Sequence, residues 1–193
     1  MVVDQLIDNI QWKVKQHERK SKKLEGLSEK TLLLLDGTLE GQLEYLKERA
    51  TQCQMEIKSI QFDRIVKFRQ DLIKKDRKTI VLASSAIRCI EICTLLKKDH
   101  DNVVKLFAKH KKIKDQSSYI QSKEWYLGVG TPQRVMKLEI MADLIIVDAA
   151  FVDKKKKTIF DHKDIRKDVI LCLEEQSDAK ICIMDKDFME FTE

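Results

Sequence analysis

From Lys78 to Met184, short apolar runs alternate with segments whose apolar residues have helical spacing. The run from Thr79 to Ala83 is almost continuously apolar, as in strands that are buried on both faces of a parallel sheet. Strands that alternate with helices predict βαβ units, and therefore an α/β fold with a doubly wound, mainly parallel sheet of about five strands. The predicted strands are Thr79–Ala83, Val103–Phe107, Trp125–Val129, Asp143–Val147 and Lys180–Met184, and the predicted helices are Ala86–Lys97, Gln116–Ser122, one beginning at Pro132, and Lys163–Glu175.

The first 77 residues have a different pattern. Apolar residues recur at intervals of three and four from Leu39 to Leu46 and again from Ile57 to Leu72, which predicts helices. We therefore expect an α-helical N-terminal extension over residues 1–77 and an α/β domain over residues 78–193. A short helix is predicted at Thr31–Leu35, with a turn at Asp36–Gly37, and the basic segment Lys13–Lys23 fits either a basic arm or a solvated helix face.

Composition excludes several classes of protein. Hydrophobic residues make up 43% and charged residues 36% of the chain, which is too apolar for a disordered chain and too charged for a membrane protein. No apolar run approaches the roughly 20 residues that span a bilayer, and the N-terminus lacks the order of a signal peptide. The five cysteines include no CxxC pair. An intracellular protein with reduced, mostly buried thiols is expected.

The charge of the chain is modestly basic, with a formal net charge of +5. Lysines cluster between Lys97 and Lys123, where eight lysines face three acidic residues. Such a cluster can meet phosphates, and it can equally be an ordinary solvated surface. Charge alone leaves both interpretations open.

Glycine and proline are scarce, with five and one in the chain, yet Gly128, Gly130 and Pro132 fall within five residues. The predicted strand ends there and a helix begins with Pro132 in its first turn, where a missing N–H is harmless. This places Thr131 beside unpaired backbone N–H groups at a helix N-terminus, which favours a phosphate oxygen. The same residues also fit an ordinary strand-to-helix turn.

The motifs of nucleotide hydrolysis are incomplete. No glycine is placed to form a phosphate loop, and the approximate dinucleotide fingerprint at Gly128 has Gln133 in place of its third glycine. Asp148 ends a predicted strand where an ATPase of this architecture would hold magnesium, but Ala149 replaces the acid that should follow. Asp148 is therefore interpreted as a turn residue at a strand end. No catalytic residue, metal site or cofactor is predicted.

Three segments in order resemble motifs of the first RecA-like domain of DEAD-box RNA helicases: Ala83–Arg88, Gly130–Arg134 and the strand that ends in Ile146, Val147 and Asp148. A closer resemblance is to the eukaryotic Cms-type family, proteins similar to a truncated DEAD-box domain. Its characteristic runs are similar to Lys105–His110, Val129–Pro132 and Lys157–Asp161 here, so the resemblance covers about half the chain.

The resemblance implies a non-catalytic ribosome-biogenesis factor in the nucleus and nucleolus, associated with the small-subunit precursor (the 90S particle, or small-subunit processome). It implies that pre-ribosomal RNA and particle proteins are the partners, with no membrane. The candidate RNA-binding residues that it indicates are Ser84, Ser85, Arg88, Lys109, His110, Gly130, Thr131 and Arg134. Gln133 departs from the helicase pattern, which has glycine there. Two alternatives stay open: a protein-interaction scaffold without RNA contact, and a residual nucleotide-binding enzyme that uses Asp148.

Overall fold

The structure of the chain is a computed structural model that describes residues 38–108 and 112–184. In chain order the elements are α1 (Leu39–Thr51), β1 (Thr79–Leu82), α2 (Ala86–Leu96), β2 (Val104–Leu106), α3 (Ile113–Gln121), β3 (Leu127–Gly130), α4 (Pro132–Lys137), β4 (Leu144–Asp148), α5 (Lys163–Glu175) and β5 (Lys180–Met184). Several predicted features lie outside the described residues, namely the basic segment Lys13–Lys23, the short helix Thr31–Leu35 with its turn at Asp36–Gly37, and the candidate residues Lys109 and His110.

The five strands form one sheet in the order β2-β3-β1-β4-β5, and all neighbouring pairs are parallel. The predicted doubly wound α/β fold with a parallel sheet is confirmed, and the arrangement is consistent with a RecA-like domain. All five strands and the helices that connect them lie within a few residues of their predicted positions. Apolar runs of this length are a strong signal because central parallel strands are buried on both faces.

Side chains of β1 alternate between two cores. Ile80 and Leu82 belong to a large cluster on one face of the sheet, which also holds residues of α1, α3, α4 and α5. Val81 and the following Ala83 belong to a smaller cluster on the other face, where α2 packs. The chain therefore leaves β1 toward one face, and it leaves β3 and β4 toward the opposite face.

Residues 39–65 extend the larger core. The α1 helix begins after Thr38, whose hydroxyl accepts a hydrogen bond from the Gly41 amide (3.2 Å). Its residue Tyr45 packs edge-to-face on Phe160, with ring centroids 5.2 Å apart. This helix confirms the apolar spacing predicted from Leu39 to Leu46.

The helix expected from Ile57 to Leu72 is wrong. The structure has two short 3₁₀ turns there, Phe62–Arg64 and Gln70–Leu72, and Val66 donates a backbone hydrogen bond to Ile181 of β5 (2.8 Å). The reason is that the apolar residues serve opposite faces of the sheet. Ile60 and Ile65 enter the larger core, whereas Phe68 and Leu72 pack against the smaller one. One straight helix cannot reach both faces, so tertiary packing overrides the helical spacing.

Residues 57–72 thus pass from one face of the sheet to the other beside β5 and form a crossing segment. Arg64 fixes this segment at the edge of the sheet. Its buried guanidinium donates hydrogen bonds to the carbonyl oxygens of Ala179 (2.8 Å) and Gln176 (2.7 Å), and to that of Ser59 (2.8 Å). Carbonyls at the end of a helix lack intrahelical partners, so these bonds also cap the carboxyl end of α5. A cation in that place is further favoured by the helix dipole.

The cysteines confirm the expectation of mostly buried thiols. Cys89, Cys93, Cys172 and Cys182 are buried, and Cys53 is partly exposed. Cys89 and Cys93 pack beside Ile92 in the smaller core, as their spacing on α2 predicts. Within the part of the chain that the structure describes, no helix is both long and apolar enough to cross a bilayer.

Candidate nucleic-acid interface

The candidate site lies where β1, β3 and β4 end. Leu82 of β1 pairs with Gly130 of β3 on one side and with Val147 of β4 on the other, so the three loops that follow start side by side. Because the chain leaves β1 toward one face and β3 and β4 toward the other, a crevice opens between the loops. Ligands of doubly wound sheets bind at this kind of position.

The turn after β1 presents two serines to this crevice. Ser84 is half-buried and Ser85 is exposed. Ser85 is the N-cap of α2, since its hydroxyl accepts a hydrogen bond from the Arg88 amide (3.2 Å). The amides of the first helical turn have no intrahelical acceptors, so the turn offers hydroxyl and amide donors to an anionic group. Ile87, in the same turn, has 73% of its surface exposed.

Arg88 is turned inward from the same helix. Its Nε donates to Asp148 Oδ2 at 2.8 Å and its Nη2 to Oδ1 at 3.3 Å, in a bidentate ion pair with both side chains at most 2% exposed. The guanidinium also bonds Glu91 (3.2 Å) and stacks 4.1 Å from the ring centre of Phe151. Arg88 therefore links the start of α2 to the end of β4 beneath the crevice. Asp148 has a definite role as its counter-charge, beyond that of the strand-end turn residue expected from the sequence.

The β3–α4 junction explains the clustered glycines. A Cβ at Gly130 would lie 2.4 Å from the Leu106 carbonyl oxygen, and one at Gly128 would lie 2.7 Å from Leu106 Cδ1. Gly130 is therefore needed for the close approach of the β2 backbone to β3, whereas Gly128 leaves room for the Leu106 side chain. This packing role of the glycines supports the interpretation of the segment as a structural strand-to-helix turn. The next residue, Thr131, is half-buried and is the N-cap of α4 at the edge of the crevice.

Arg134 is also mostly buried, with 9% of its surface exposed. Its Nε donates to Gln116 Oε1 of α3 (2.7 Å), and Gln116 in turn donates to the Lys105 carbonyl of β2. Arg134 thus ties α4 to α3 and to the edge strand. Of the candidate residues that the structure describes, Ser84, Ser85 and Thr131 face the crevice, whereas Arg88 and Arg134 lie behind it.

The basic segment between Lys97 and Lys123 is at the surface, and it is spread over both edges of the sheet, since Lys97 and Lys98 follow the end of α2 and Lys112 precedes α3. The described lysines between Lys97 and Lys123 are all exposed, namely Lys97, Lys98, Lys105, Lys112, Lys114 and Lys123. Exposed lysines contribute a positive field without fixing the position of a ligand. Within the described ranges, no group of three or more side chains is arranged to hold a metal ion.

Sequence reasoning missed the pairing of Arg88 with Asp148 and the stacking of Phe151. The two charged residues are 60 positions apart, and nothing local to either one signals the other. The parallel sheet does provide a signal, because residues just after adjacent strands meet at one edge. Combining the predicted β1 and β4 with that rule would have placed Arg88 near the strand-end carboxylate of Asp148, but it would not have predicted their burial.

Comparison with known proteins gives a consistent result. A family model described as "CMS1: U3-containing 90S pre-ribosomal complex subunit" matches residues 61–185. Protein CMS1 of Chaetomium thermophilum is 32% identical over 96 residues, which cover 45% of this chain and 38% of that protein. Protein CMSS1 of Homo sapiens is 32% identical over 110 residues, 52% of this chain and 39% of that protein. Protein CMSS1 of Xenopus laevis is 33% identical over 111 residues, 52% of this chain and 40% of that protein.

The matched region therefore spans about two fifths of the length of these curated relatives. No solved structure matches the chain. The family match includes the crossing segment from residue 61 as well as the whole sheet.

Proposed function

The chain belongs to the CMS1 family, described as U3-containing 90S pre-ribosomal complex subunits, and we therefore propose that it is a ribosome-biogenesis factor that associates with the 90S precursor of the small ribosomal subunit. Its expected location is the nucleus and nucleolus, where such a particle is assembled. The proposed partners are pre-ribosomal RNA and proteins of the particle. Residues 1–77 are proposed to act as an extension of the α/β domain of residues 78–193.

The proposed RNA contact is the crevice at the carboxyl edge of the sheet. The observation that carries this proposal is the pairing of Leu82 with both Gly130 and Val147, which brings Ser84, Ser85 and Thr131 to one edge. Hydroxyl and backbone N–H donors of this kind bind phosphate and sugar oxygens without reading sequence. Lys109 and His110, which follow β2 in the chain, are proposed to extend the contact.

The two buried arginines have supporting roles in this proposal. Arg88 holds the start of α2 against Asp148, and Arg134 holds the start of α4 against Gln116. Rigid support of the loops favours binding because less conformational entropy is lost when the ligand arrives. Gly130 contributes by allowing β2 to approach β3 closely.

We propose that the domain is a degenerate, helicase-like domain without catalytic activity. Both Asp148 oxygens are hydrogen-bonded to Arg88, and the next residue is Ala149 in place of an acid. A magnesium ion would have to compete with the guanidinium, which already bonds both oxygens of this carboxylate. These contacts support a binding role over nucleotide hydrolysis.

RNA affinity across a salt series tests the proposal. Wild-type chain should bind pre-ribosomal RNA with an affinity that falls steeply as salt rises, because phosphate contacts release counterions. Ser85→Asp should weaken binding about tenfold or more, since aspartate still caps α2 but places a negative charge beside the RNA.

The matched control is Thr38→Asp. Thr38 is the exposed N-cap of α1, so the substitution has the same capping chemistry and the same charge change at another helix. It should leave RNA affinity within about twofold, because Thr38 is not among the residues proposed to contact RNA and its exposed charge is screened by salt. Negligible, salt-independent binding by the wild-type chain would refute the RNA contact, and particle association without RNA affinity would favour the protein scaffold.

A further inference from the structure

Two buried arginines meet at a single amide oxygen, away from the crevice loops. Arg49 is near the end of α1 and Arg166 is in the first turn of α5, and they are 6% and 9% exposed. Arg49 Nη1 donates to Gln52 Oε1 at 3.1 Å, and Arg166 Nη1 donates to the same oxygen. The two cations are therefore held close together on either side of one neutral acceptor.

The charge of this pair is not balanced by a carboxylate. Among the described residues, neither guanidinium lies within ion-pairing distance of an acid. Glu48 bonds the Gln52 amide nitrogen (3.4 Å) instead of either arginine, and Arg49 stacks 4.5 Å from the ring centre of Tyr45. The Nε–H groups of both arginines are buried without an acceptor. Buried, adjacent like charges with unsatisfied donors are costly unless an anion joins them.

The position of the pair is at the same edge of the sheet as the crevice. A helix that connects two parallel strands runs opposite to them, so α5 begins near the carboxyl end of β4. Arg166 is the fourth residue of α5, and the N-terminus of this 13-residue helix adds partial positive charge.

A compact lysine turn lies next to this helix start. Lys154, Lys155, Lys156 and Lys157 are all exposed, and the Asp153 carboxylate accepts the amides of Lys155 (2.7 Å) and Lys157 (3.0 Å). Asp153 also lies 3.0 Å from Nε2 of His162, the N-cap of α5. Burial raises the pKa of Asp153, but these two amides and His162 together lower it below the usual value. The carboxylate therefore stays ionised and holds four lysines beside α5.

We propose that Arg49 and Arg166 form a phosphate-binding centre with Gln52 as its spacer and with the lysine turn of residues 154–157 at its margin. Two planar guanidinium groups provide the forked donors that match phosphate oxygens. A phosphate fits better than a single carboxylate because its charge and its number of oxygens satisfy both cations. If the proposed RNA-binding function holds, the natural ligand is a backbone phosphate of RNA that runs along the carboxyl edge from the crevice to α5.

Inorganic phosphate tests the centre without RNA. Phosphate at tenfold its dissociation constant should raise the unfolding midpoint by about 3–6 °C above a chloride control of equal ionic strength. Arg49→Gln and Arg166→Gln should each abolish that difference, whereas Arg69→Gln, at an exposed arginine paired with Asp71, should preserve it. Arg166→Lys, which retains charge without the fork, should reduce it. Equal midpoints in phosphate and chloride for the wild-type chain would overturn the proposal.

RNA binding then distinguishes the source of the phosphate and separates this proposal from the proposed function. Arg166→Gln should reduce the slope of log affinity against log salt by about 0.7, the value expected for one lost phosphate contact to a single strand. Phosphate stabilisation without any RNA binding would support the centre with a free phosphate ligand and refute the RNA function. RNA binding that is unchanged in both arginine variants, together with no phosphate effect, would refute the centre alone.

Discussion

Arg88 and Asp148 form a bidentate ion pair in which Nε lies 2.8 Å from Oδ2 and Nη2 lies 3.3 Å from Oδ1. The pair joins the first turn of α2 to the last residue of β4 across the buried centre of the sheet edge. The Arg88 guanidinium therefore holds the loops of the crevice together. The geometry of Ser85 and Phe151 therefore depends on this contact.

Removing one partner of this pair should be strongly destabilising. Asp148→Ala leaves the Arg88 guanidinium buried without its carboxylate, which typically costs about 3–5 kcal/mol. Urea denaturation measures the change in the free energy of unfolding. Glu91→Ala is the control, because Glu91 is the exposed partner of the same guanidinium and should cost less than about 1 kcal/mol. Equal losses for the two variants would contradict this account of the pair.

The glycines of β3 should differ in their tolerance of a methyl group. At Gly130 the added Cβ meets the Leu106 carbonyl oxygen, which cannot move without disturbing β2, so Gly130→Ala should cost about 3 kcal/mol. At Gly128 the nearest atom is a methyl carbon of the buried Leu106 side chain, which can shift more readily than backbone, so Gly128→Ala should cost less, about 1 kcal/mol. Thermal unfolding of both variants checks this order. A Gly130→Ala variant as stable as wild type would show that the approach of β2 is not tight.

Buried thiols should make the fold sensitive to alkaline pH. Burial raises the pKa of Cys93 from 9.0 to about 11 and that of Cys172 from 9.0 to about 12. Above pH 9 the unfolded chain loses these protons while the folded chain keeps them. Their contribution to stability is therefore complete below pH 9 and is lost as pH rises toward 11 and 12, at about 1.4 kcal/mol per thiol per pH unit.

Urea unfolding between pH 8 and pH 10.5 measures this loss. A Cys93→Ala, Cys172→Ala double variant is less stable at pH 8 because it loses packing, but its stability should decline less steeply above pH 9 than that of the wild type. Parallel declines would mean that these two thiols are not responsible.

Much of the sheet could be predicted from the sequence, since runs such as Thr79–Leu82 are apolar because both faces of the strand are covered. The crossing segment could not be predicted in the same way. Ile60 and Phe68 have helical spacing with their neighbours, yet they pack on opposite faces of the sheet. The face on which each residue packs depends on the position of the edge strand β5, and that position is set only in the assembled fold.

The position of the candidate site could be predicted from the sequence, but the direction in which each of its side chains points could not. The rule that loops after parallel strands converge at one edge accounts for the placement of Ser85 and Thr131 side by side. It does not tell whether a side chain turns toward solvent or toward the core, and Arg88 and Arg134 turn inward. The meeting of Arg49 with Arg166 likewise depends on the packing of α1 against α5, for which neither segment carries a local signal.

The most direct test of an RNA contact at the crevice is site-specific crosslinking to RNA from two exposed positions at opposite edges of the sheet. A photoreactive amino acid would replace Ile87, 73% exposed at the carboxyl edge, or Met141, 54% exposed just before β4 at the other edge. We predict that the chain bound to pre-ribosomal RNA crosslinks to the RNA from position 87 and not from position 141. Crosslinking from position 141 alone, or equally from both positions, would contradict an RNA contact at the carboxyl-edge crevice.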